Sequence, residues 1–145
     1  MTFAYFDTSA LIKRYIREKG SARVLSLLRR HDLLSSAITP VEVMSALCRR
    51  KRHGDLSDED FAATLSRVQG ERTRWELVEL GRTVLSRAEG IVQGIVPMRS
   101  LDAIHVASLV TFQAASGTRI PFVTGDDRQR EAAAYIGLDV VWVGP

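Results

Sequence analysis

Four acidic residues stand where the chain is expected to pass between a strand and a helix or to open a helix: Asp7, Glu42, Asp102 and Asp126. Carboxylates that a fold gathers repel one another and take up protons unless a cation lies between them. No cluster of His or Cys accompanies these acids, so an oxygen-only site for Mg²⁺ or Mn²⁺ is favoured over a zinc site. Such cations commonly bind substrate phosphates, which indicates phosphodiester hydrolysis with the four acids as candidate catalytic residues and metal ligands.

Short apolar runs predict the strands that carry these acids. They are Phe3–Phe6 and residues 33–36, 75–80, 120–124 and 140–143. Because helical patterns separate them, they indicate a mainly parallel sheet between two helical layers, which is a three-layer α/β/α domain. Ligands bind at the carboxyl ends of such strands. Asp7, Glu42 and Asp126 are therefore expected to share one edge of the sheet.

The fourth acid, Asp102, lies near the start of a helix predicted over residues 100–115. Nearly every face of this helix is apolar, which is typical of a buried helix. The carboxylate must therefore face the same sheet edge or be paired. His105, one turn further on, is expected to be a hydrogen-bonded core residue and is left outside the candidate catalytic set.

Each acid also has a structural interpretation. Asp7 and Asp126 can each cap the helix that follows, and Asp102 comes shortly after a possible Ser cap. Glu42 completes a capping-box pattern that begins at Thr39. Taken singly, these roles weigh about as much as a catalytic one. Four acids on one side of one domain favour a common site.

The chain has 145 residues, of which 46% are hydrophobic and 26% charged, enough for a single domain over residues 1–145 with a substantial core. Its formal charge is +3, and most of its cations are arginine, which is a weak indication of nucleic-acid binding. The basic run over residues 49–53 fits an ordinary helix end before Gly54, or alternatively a contact with an RNA backbone.

No apolar run approaches the length of a membrane span, and the N-terminus lacks the pattern of a secretory signal. We therefore expect a soluble cytoplasmic protein with no membrane partner. The single Cys48 cannot form an intrachain disulfide and is expected to be a small core residue.

Four motifs, taken in order, resemble those of PIN-domain ribonucleases and, more narrowly, of the VapC toxins of toxin–antitoxin pairs. They are Phe6-Asp7-Thr8-Ser9-Ala10-Leu11, Pro40-Val41-Glu42-Val43, Leu101-Asp102-Ala103-Ile104-His105-Val106-Ala107 and Phe122-Val123-Thr124-Gly125-Asp126. The resemblance spans almost the whole chain. It implies a metal-dependent endoribonuclease, usually a homodimer, that a cognate VapB-type antitoxin holds inactive.

By position, Asp7 and Asp102 match the principal metal ligands of that family, and Glu42 and Asp126 match the rest of its acidic cluster. The sequence departs from many relatives at Gly125, where they have Ala, and Asp127 doubles the final acid. Because Gly125 can turn the chain sharply, we predict that Asp126 is the fourth acid.

The antitoxin is expected to insert into a groove beside the site, near the apolar helix faces around Leu25, Leu47 and Phe61. Two other functions remain open. One is a non-catalytic RNA-binding module on the same fold. The other is an Asp-dependent phosphatase, although the haloacid-dehalogenase pattern wants a second Asp where this chain has Ser9.

Overall fold

Five short runs of mainly apolar residues pair into one parallel sheet in the computed structural model, which describes all residues from Met1 to Pro145. The strands are β1 (Phe3–Phe6), β2 (Asp32–Ser36), β3 (Glu76–Val78), β4 (Phe122–Thr124) and β5 (Val140–Trp142). They are ordered β3-β2-β1-β4-β5 across the sheet, and every neighbouring pair is parallel. The predicted parallel sheet is confirmed.

Seven α-helices connect the strands. They are α1 (Thr8–Leu11), α2 (Ser21–Arg30), α3 (Thr39–Arg52), α4 (Asp58–Glu71), α5 (Arg82–Val92), α6 (Ser100–Ser116) and α7 (Asp127–Ile136). Short 3₁₀ turns follow α1 and α4, at Ile12–Arg14 and Arg72–Arg74. None of these helices is long and apolar enough to cross a membrane.

Strand β1 lies at the centre of the sheet and divides its two helical layers. Ala4 and Phe6 pack into a core cluster with residues of α1 to α4, whereas Tyr5 packs into a second cluster with residues of α6 and α7. Alternate residues of a strand face opposite sides of its sheet, so this division follows from the strand's own geometry. The three-layer α/β/α architecture is thereby confirmed.

The order of the strands reverses at β1. The chain passes from β1 outward to β2 and β3, then returns to place β4 on the other side of β1. Tyr5 is aligned with Leu34 of β2 on one side and with Phe122 of β4 on the other. Such a reversal opens a crevice at the carboxyl ends of the central strands, where ligands bind in open α/β sheets.

Several local predictions need correction. The capping box at the start of α3 does not form, because Thr39 makes a 2.6 Å hydrogen bond with Ser35 and the N-cap, Ile38, makes no side-chain cap bond. Cys48 is only partly buried. By contrast, Ser57 caps α4 as predicted, by accepting a hydrogen bond from the backbone N–H of Asp60.

Two of the three apolar residues predicted to lie on helix faces beside an antitoxin groove are covered by the core. Leu47 is fully buried, and Phe61 packs against the same core cluster. These side chains stabilise α3 and α4 on the sheet and are not free for a partner.

Candidate active site

Three of the predicted acids follow neighbouring strands at the carboxyl edge of the sheet. Asp7 comes directly after β1, Glu42 lies in the first turn of α3 after β2, and Asp126 begins α7 after β4. Asp102 lies in the first turn of α6 and belongs to the same region, because the negative charges of Asp126 and Glu42 contribute to raising the pKa of its carboxyl.

Asp7 is the most buried of the four, with 1% of its surface exposed. Its Oδ1 accepts hydrogen bonds from Ser9 Oγ at 2.6 Å and from the backbone N–H of Ala10 at 2.9 Å, and its Oδ2 accepts one from Thr124 Oγ1 at 2.5 Å. Burial raises the pKa of this carboxyl, and the hydrogen bonds offset the effect only in part. A carboxylate has about four acceptor positions, so one remains for a cation or a water molecule.

Glu42 is held through a single oxygen. Thr8 Oγ1 donates to Glu42 Oε1 at 2.6 Å, and His105 Nε2 lies 2.6 Å from the same atom. Burial favours a higher pKa for this carboxyl, but the hydrogen bonds from His105 and Thr8 outweigh it and lower the pKa below its ordinary value. Glu42 is therefore ionised at neutral pH, with Oε2 left for the cleft.

Asp102 has the least support from neighbouring groups. Its Oδ2 is buried and accepts no hydrogen bond, and the nearest cation is Arg99, whose Nε lies 3.7 Å away. Burial and the negative charge of Asp126 raise the pKa of the Asp102 carboxyl. A buried carboxylate oxygen without a partner is costly, so this atom calls for a cation or an ordered water molecule.

Asp126 is both a site acid and a helix cap. Its Oδ1 accepts hydrogen bonds from the backbone N–H groups of Arg128 and Gln129, as the capping interpretation predicted. Asp127 is the first residue of α7; it is exposed and pairs with Arg130 at 2.5 Å. The predicted register of this turn, with Asp126 at the sheet edge and Asp127 turned to solvent, agrees with these contacts.

The other two structural interpretations do not describe the contacts made. Glu42 bonds to Thr8 and His105 instead of capping α3. The N-cap of α6 is Arg99, not Ser100, and it makes no side-chain cap bond, so Asp102 is not part of a capping motif.

His105 was left outside the candidate catalytic set, but it contacts Glu42 in the structure. It is 2% exposed, as expected for a core histidine, but its hydrogen-bond partner on the site side is Glu42. Its spacing of three residues from Asp102 places both side chains on one face of α6, and this spacing was the signal available in the sequence.

A cleft of about 680 Å³ adjoins Glu42 and Asp102. Its other lining residues are Val92, Met98, Arg99, Ser100 and Leu101. Arg99 is largely exposed and Leu101 half exposed, so the cleft offers a cation and an apolar wall beside the carboxylates.

The oxygen atoms at the cleft fit a divalent cation that keeps part of its water shell. No three acidic, His or Cys side chains lie close enough to form a complete metal cluster without other ligands. Mg²⁺ does not require such a cluster, because it usually retains several waters and one or two carboxylates. The unpartnered Oδ2 of Asp102 and the free Oε2 of Glu42 fit this requirement, and the donor set is oxygen throughout.

Comparison with known proteins adds to this geometry. The family model of the PIN domain matches residues 4–135. A solved structure, a toxin-antitoxin complex from Klebsiella pneumoniae, includes a chain with a TM-score of 0.59 and 16% identity, covering 95% of each chain. At this identity the likeness concerns the fold. No curated protein matches the sequence.

Proposed function

The chain belongs to the PIN-domain family, and on that premise we propose that it is a metal-dependent endoribonuclease, the toxin of a type II toxin–antitoxin pair. PIN domains are generally nucleases, which supports hydrolysis of a phosphodiester. The observation that carries the proposal is the unpartnered Oδ2 of Asp102, which lies among further carboxylates at the strand-order reversal.

The four acids and the hydroxyl residues that bond to them have different proposed roles. We assign Asp7 and Asp102 as the principal cation ligands and Glu42 and Asp126 as the remaining acids of the site. When bound, Mg²⁺ or Mn²⁺ offsets the negative charge that builds on the scissile phosphate and makes water a stronger nucleophile. Ser9 and Thr124 keep the Asp7 carboxylate oriented, and Thr8 does the same for Glu42.

RNA is the proposed substrate, and unpaired segments are its accessible form. Bases in single-stranded loops can be reached, whereas those in A-form helices are hidden in a deep, narrow groove. The positive formal charge and the exposed Arg99 beside Asp102 support binding of a phosphate backbone at this cleft. We place the reaction in the cytoplasm, where such RNA is found.

The experiment is RNA cleavage by the purified protein with Mg²⁺ or Mn²⁺, compared with the same reaction in chelator. Asp7→Asn removes one charge from the site while keeping the side-chain shape, so it should fold and fail to cleave. Asp127→Asn removes a charge that is exposed and paired with Arg130, so it serves as the matched control and should stay active. Indifference to chelator, or equal rates for Asp7→Asn and wild type, refutes the proposal.

We propose an antitoxin partner that covers the cleft. The similar solved structure is of a toxin-antitoxin complex, and the lining of this cleft combines carboxylates with the exposed apolar side chains of Val92 and Leu101. A VapB-type segment that carries one basic and a few apolar residues fits such a lining. Expression with the neighbouring open reading frame should yield a complex with suppressed cleavage. Separate migration with full activity contradicts the partner.

We also propose a homodimer, formed through the apolar patch of Ile95, Tyr135 and Ile136. Ile95 and Tyr135 are 79% and 63% exposed, and the patch borders a groove of about 350 Å³ between α5, α7 and residues 94–98. Exposed apolar patches of this kind mark association surfaces in soluble proteins.

A further inference from the structure

Tyr5, His105 and Glu42 form a chain of hydrogen bonds that runs from the core to the cleft. The Tyr5 hydroxyl lies 2.8 Å from His105 Nδ1, and His105 Nε2 lies 2.6 Å from Glu42 Oε1. Tyr5 is fully buried and His105 nearly so, and of the three only Glu42 lines the cleft. The chain of bonds therefore connects a buried strand residue to a site acid.

The direction of each hydrogen bond in this series follows from the groups at its two ends, Glu42 and Tyr5. A carboxylate oxygen can only accept, so Nε2 of His105 carries the proton that faces Glu42. In the neutral imidazole Nδ1 is then the acceptor, and the Tyr5 hydroxyl donates to it. Burial holds the pKa of the Tyr5 hydroxyl well above its ordinary value, so this donor keeps its proton.

The first member of the chain has little freedom to move. The ring of Tyr5 stacks on that of Phe122, with centroids 5.3 Å apart and planes inclined by 7°. This contact joins β1 to β4 at the centre of the sheet. The hydroxyl of Tyr5 is therefore a fixed point from which the His105 ring can be oriented.

We propose that Tyr5 and His105 are positioning residues that fix the Glu42 carboxylate through Oε1, so that Oε2 faces the cleft and the cation it binds. Thr8 Oγ1 donates to the same Glu42 oxygen and lies 3.3 Å from His105 Nε2. The inference rests on the proposed function and explains how the Glu42 carboxylate is oriented for it. Strand β1 thus supplies Asp7 directly and orients Glu42 through Tyr5.

Outer hydrogen-bond partners of a metal ligand set its orientation, and their loss typically weakens metal binding or activity by about 10–100-fold. We therefore expect His105→Leu to weaken Mn²⁺ binding, measured by calorimetry on the purified chain, by about 10–100-fold. His105→Gln should stay within about threefold of wild type, because its Nε2 is the same number of bonds from the backbone and still donates. Tyr5→Phe should fall between the two.

A double-mutant cycle separates positioning from a general structural role. If His105 acts through Glu42, adding His105→Leu to Glu42→Ala causes no further loss of Mn²⁺ affinity. A full additional loss in the Glu42→Ala background, or wild-type affinity in His105→Leu, overturns the inference. If His105→Leu does not fold, the Mn²⁺ affinities of His105→Gln and Tyr5→Phe are compared instead. Weaker binding by Tyr5→Phe supports the inference, and equal affinities overturn it.

The ¹⁵N NMR spectrum of the His105 ring separates this inference from the proposed function, since it requires neither metal nor RNA. We expect Nε2 to carry the proton in wild type and the two tautomers to mix in Tyr5→Phe. A proton on Nδ1 overturns the inference even in an active nuclease. A ring protonated at Nε2 in a protein that neither binds Mn²⁺ nor cleaves RNA refutes the proposed function and the metal-directed part of the inference, while the hydrogen-bond chain stands.

Discussion

Thr124 Oγ1 donates a 2.5 Å hydrogen bond to Asp7 Oδ2 and so joins the end of β4 to the end of β1. The same oxygen accepts a 3.0 Å hydrogen bond from the backbone N–H of Asp126. One buried hydroxyl thus sets the spacing between two of the site acids, at the place where the order of the strands reverses.

Replacing this hydroxyl tests its importance. Thr124→Val keeps the shape but leaves Asp7 Oδ2 and the Asp126 N–H without partners, so we expect cleavage to fall by about 10–100-fold. The free energy of unfolding should fall by about 1–3 kcal/mol, as is usual for buried polar groups that lose a partner. Thr124→Ser keeps the hydroxyl and is the control. Initial rates and urea unfolding check both effects; equal rates for the Val and Ser variants contradict the role.

Substitution of Asp126 should reduce cleavage far more than substitution of Asp127. Asp126→Asn retains a good helix cap for the N–H groups of Arg128 and Gln129, so stability should change little while the loss of charge cuts cleavage strongly. Asp126→Ala should lose activity and, in addition, about 1 kcal/mol of stability. Asp127→Ala loses only an exposed pair with Arg130 and should stay active. The reverse pattern of rates would place the site acid at Asp127.

Asp102 should limit stability at neutral pH. Its pKa is raised in the folded state, so the folded protein binds the proton more tightly than the unfolded chain. Stability is then lost as the pH rises from the ordinary Asp value of about 3.9 through the folded pKa, and the loss is complete above that. Asp102→Asn should therefore raise the Tm at pH 7, by roughly 2–4 °C for each kcal/mol relieved.

The Tm difference between Asp102→Asn and wild type should shrink as the pH falls toward about 4. At 100 times its Kd, Mn²⁺ should add about 2.7 kcal/mol to the free energy of unfolding of wild type and so raise its Tm. It should not raise the Tm of the Asp102→Asn variant. Asp127→Asn serves as the exposed control: its Tm should stay at the wild-type value across this pH range, and Mn²⁺ should raise it as in wild type. A variant that is less stable than wild type at pH 7, and equally responsive to Mn²⁺, would refute the assignment.

The proposed dimer can be tested on its apolar patch. Ile95→Asp places a charge in the patch, so it should raise the dimer dissociation constant by roughly 30-fold or more, the equivalent of about 2 kcal/mol. Val41→Asp alters another exposed apolar residue, 68% exposed against 79% for Ile95, that lies outside the patch, and it should leave association unchanged. Analytical ultracentrifugation measures both. A wild type that stays monomeric at high concentration excludes the dimer.

The sequence was sufficient for the elements and their order because short apolar strands alternate with helices along the whole chain. It was also sufficient to place Asp7 and Asp126 at strand ends, since Asp7 follows β1 directly and only Gly125 separates Asp126 from β4. It was not sufficient for Glu42. The string Thr39-Pro40-Val41-Glu42 fits a capping box and a site acid equally well, and the choice depends on Thr8 and His105, which lie 34 and 63 residues away.

The sequence was also not sufficient to show which apolar side chains are exposed. Leu47 and Phe61 were assigned to a binding face because helical periodicity identifies an apolar side of a helix but not what covers it. The core takes that side of α3 and α4. The exposed apolar residues instead include Ile95 and Leu101, which lie in a loop and in a first helical turn, where periodicity carries little information.

The central strand β1 pairs with β4, a strand that is synthesised much later. Thr124 lies 117 residues after its partner Asp7, so it is made only after six of the seven helices, α1 to α6, and strands β2 and β3. An unfinished polypeptide without β4 consequently leaves Asp7 without its Thr124 partner and lacks Asp126. Under the proposed function, this order postpones RNA cleavage until translation of the protein's own messenger has passed β4.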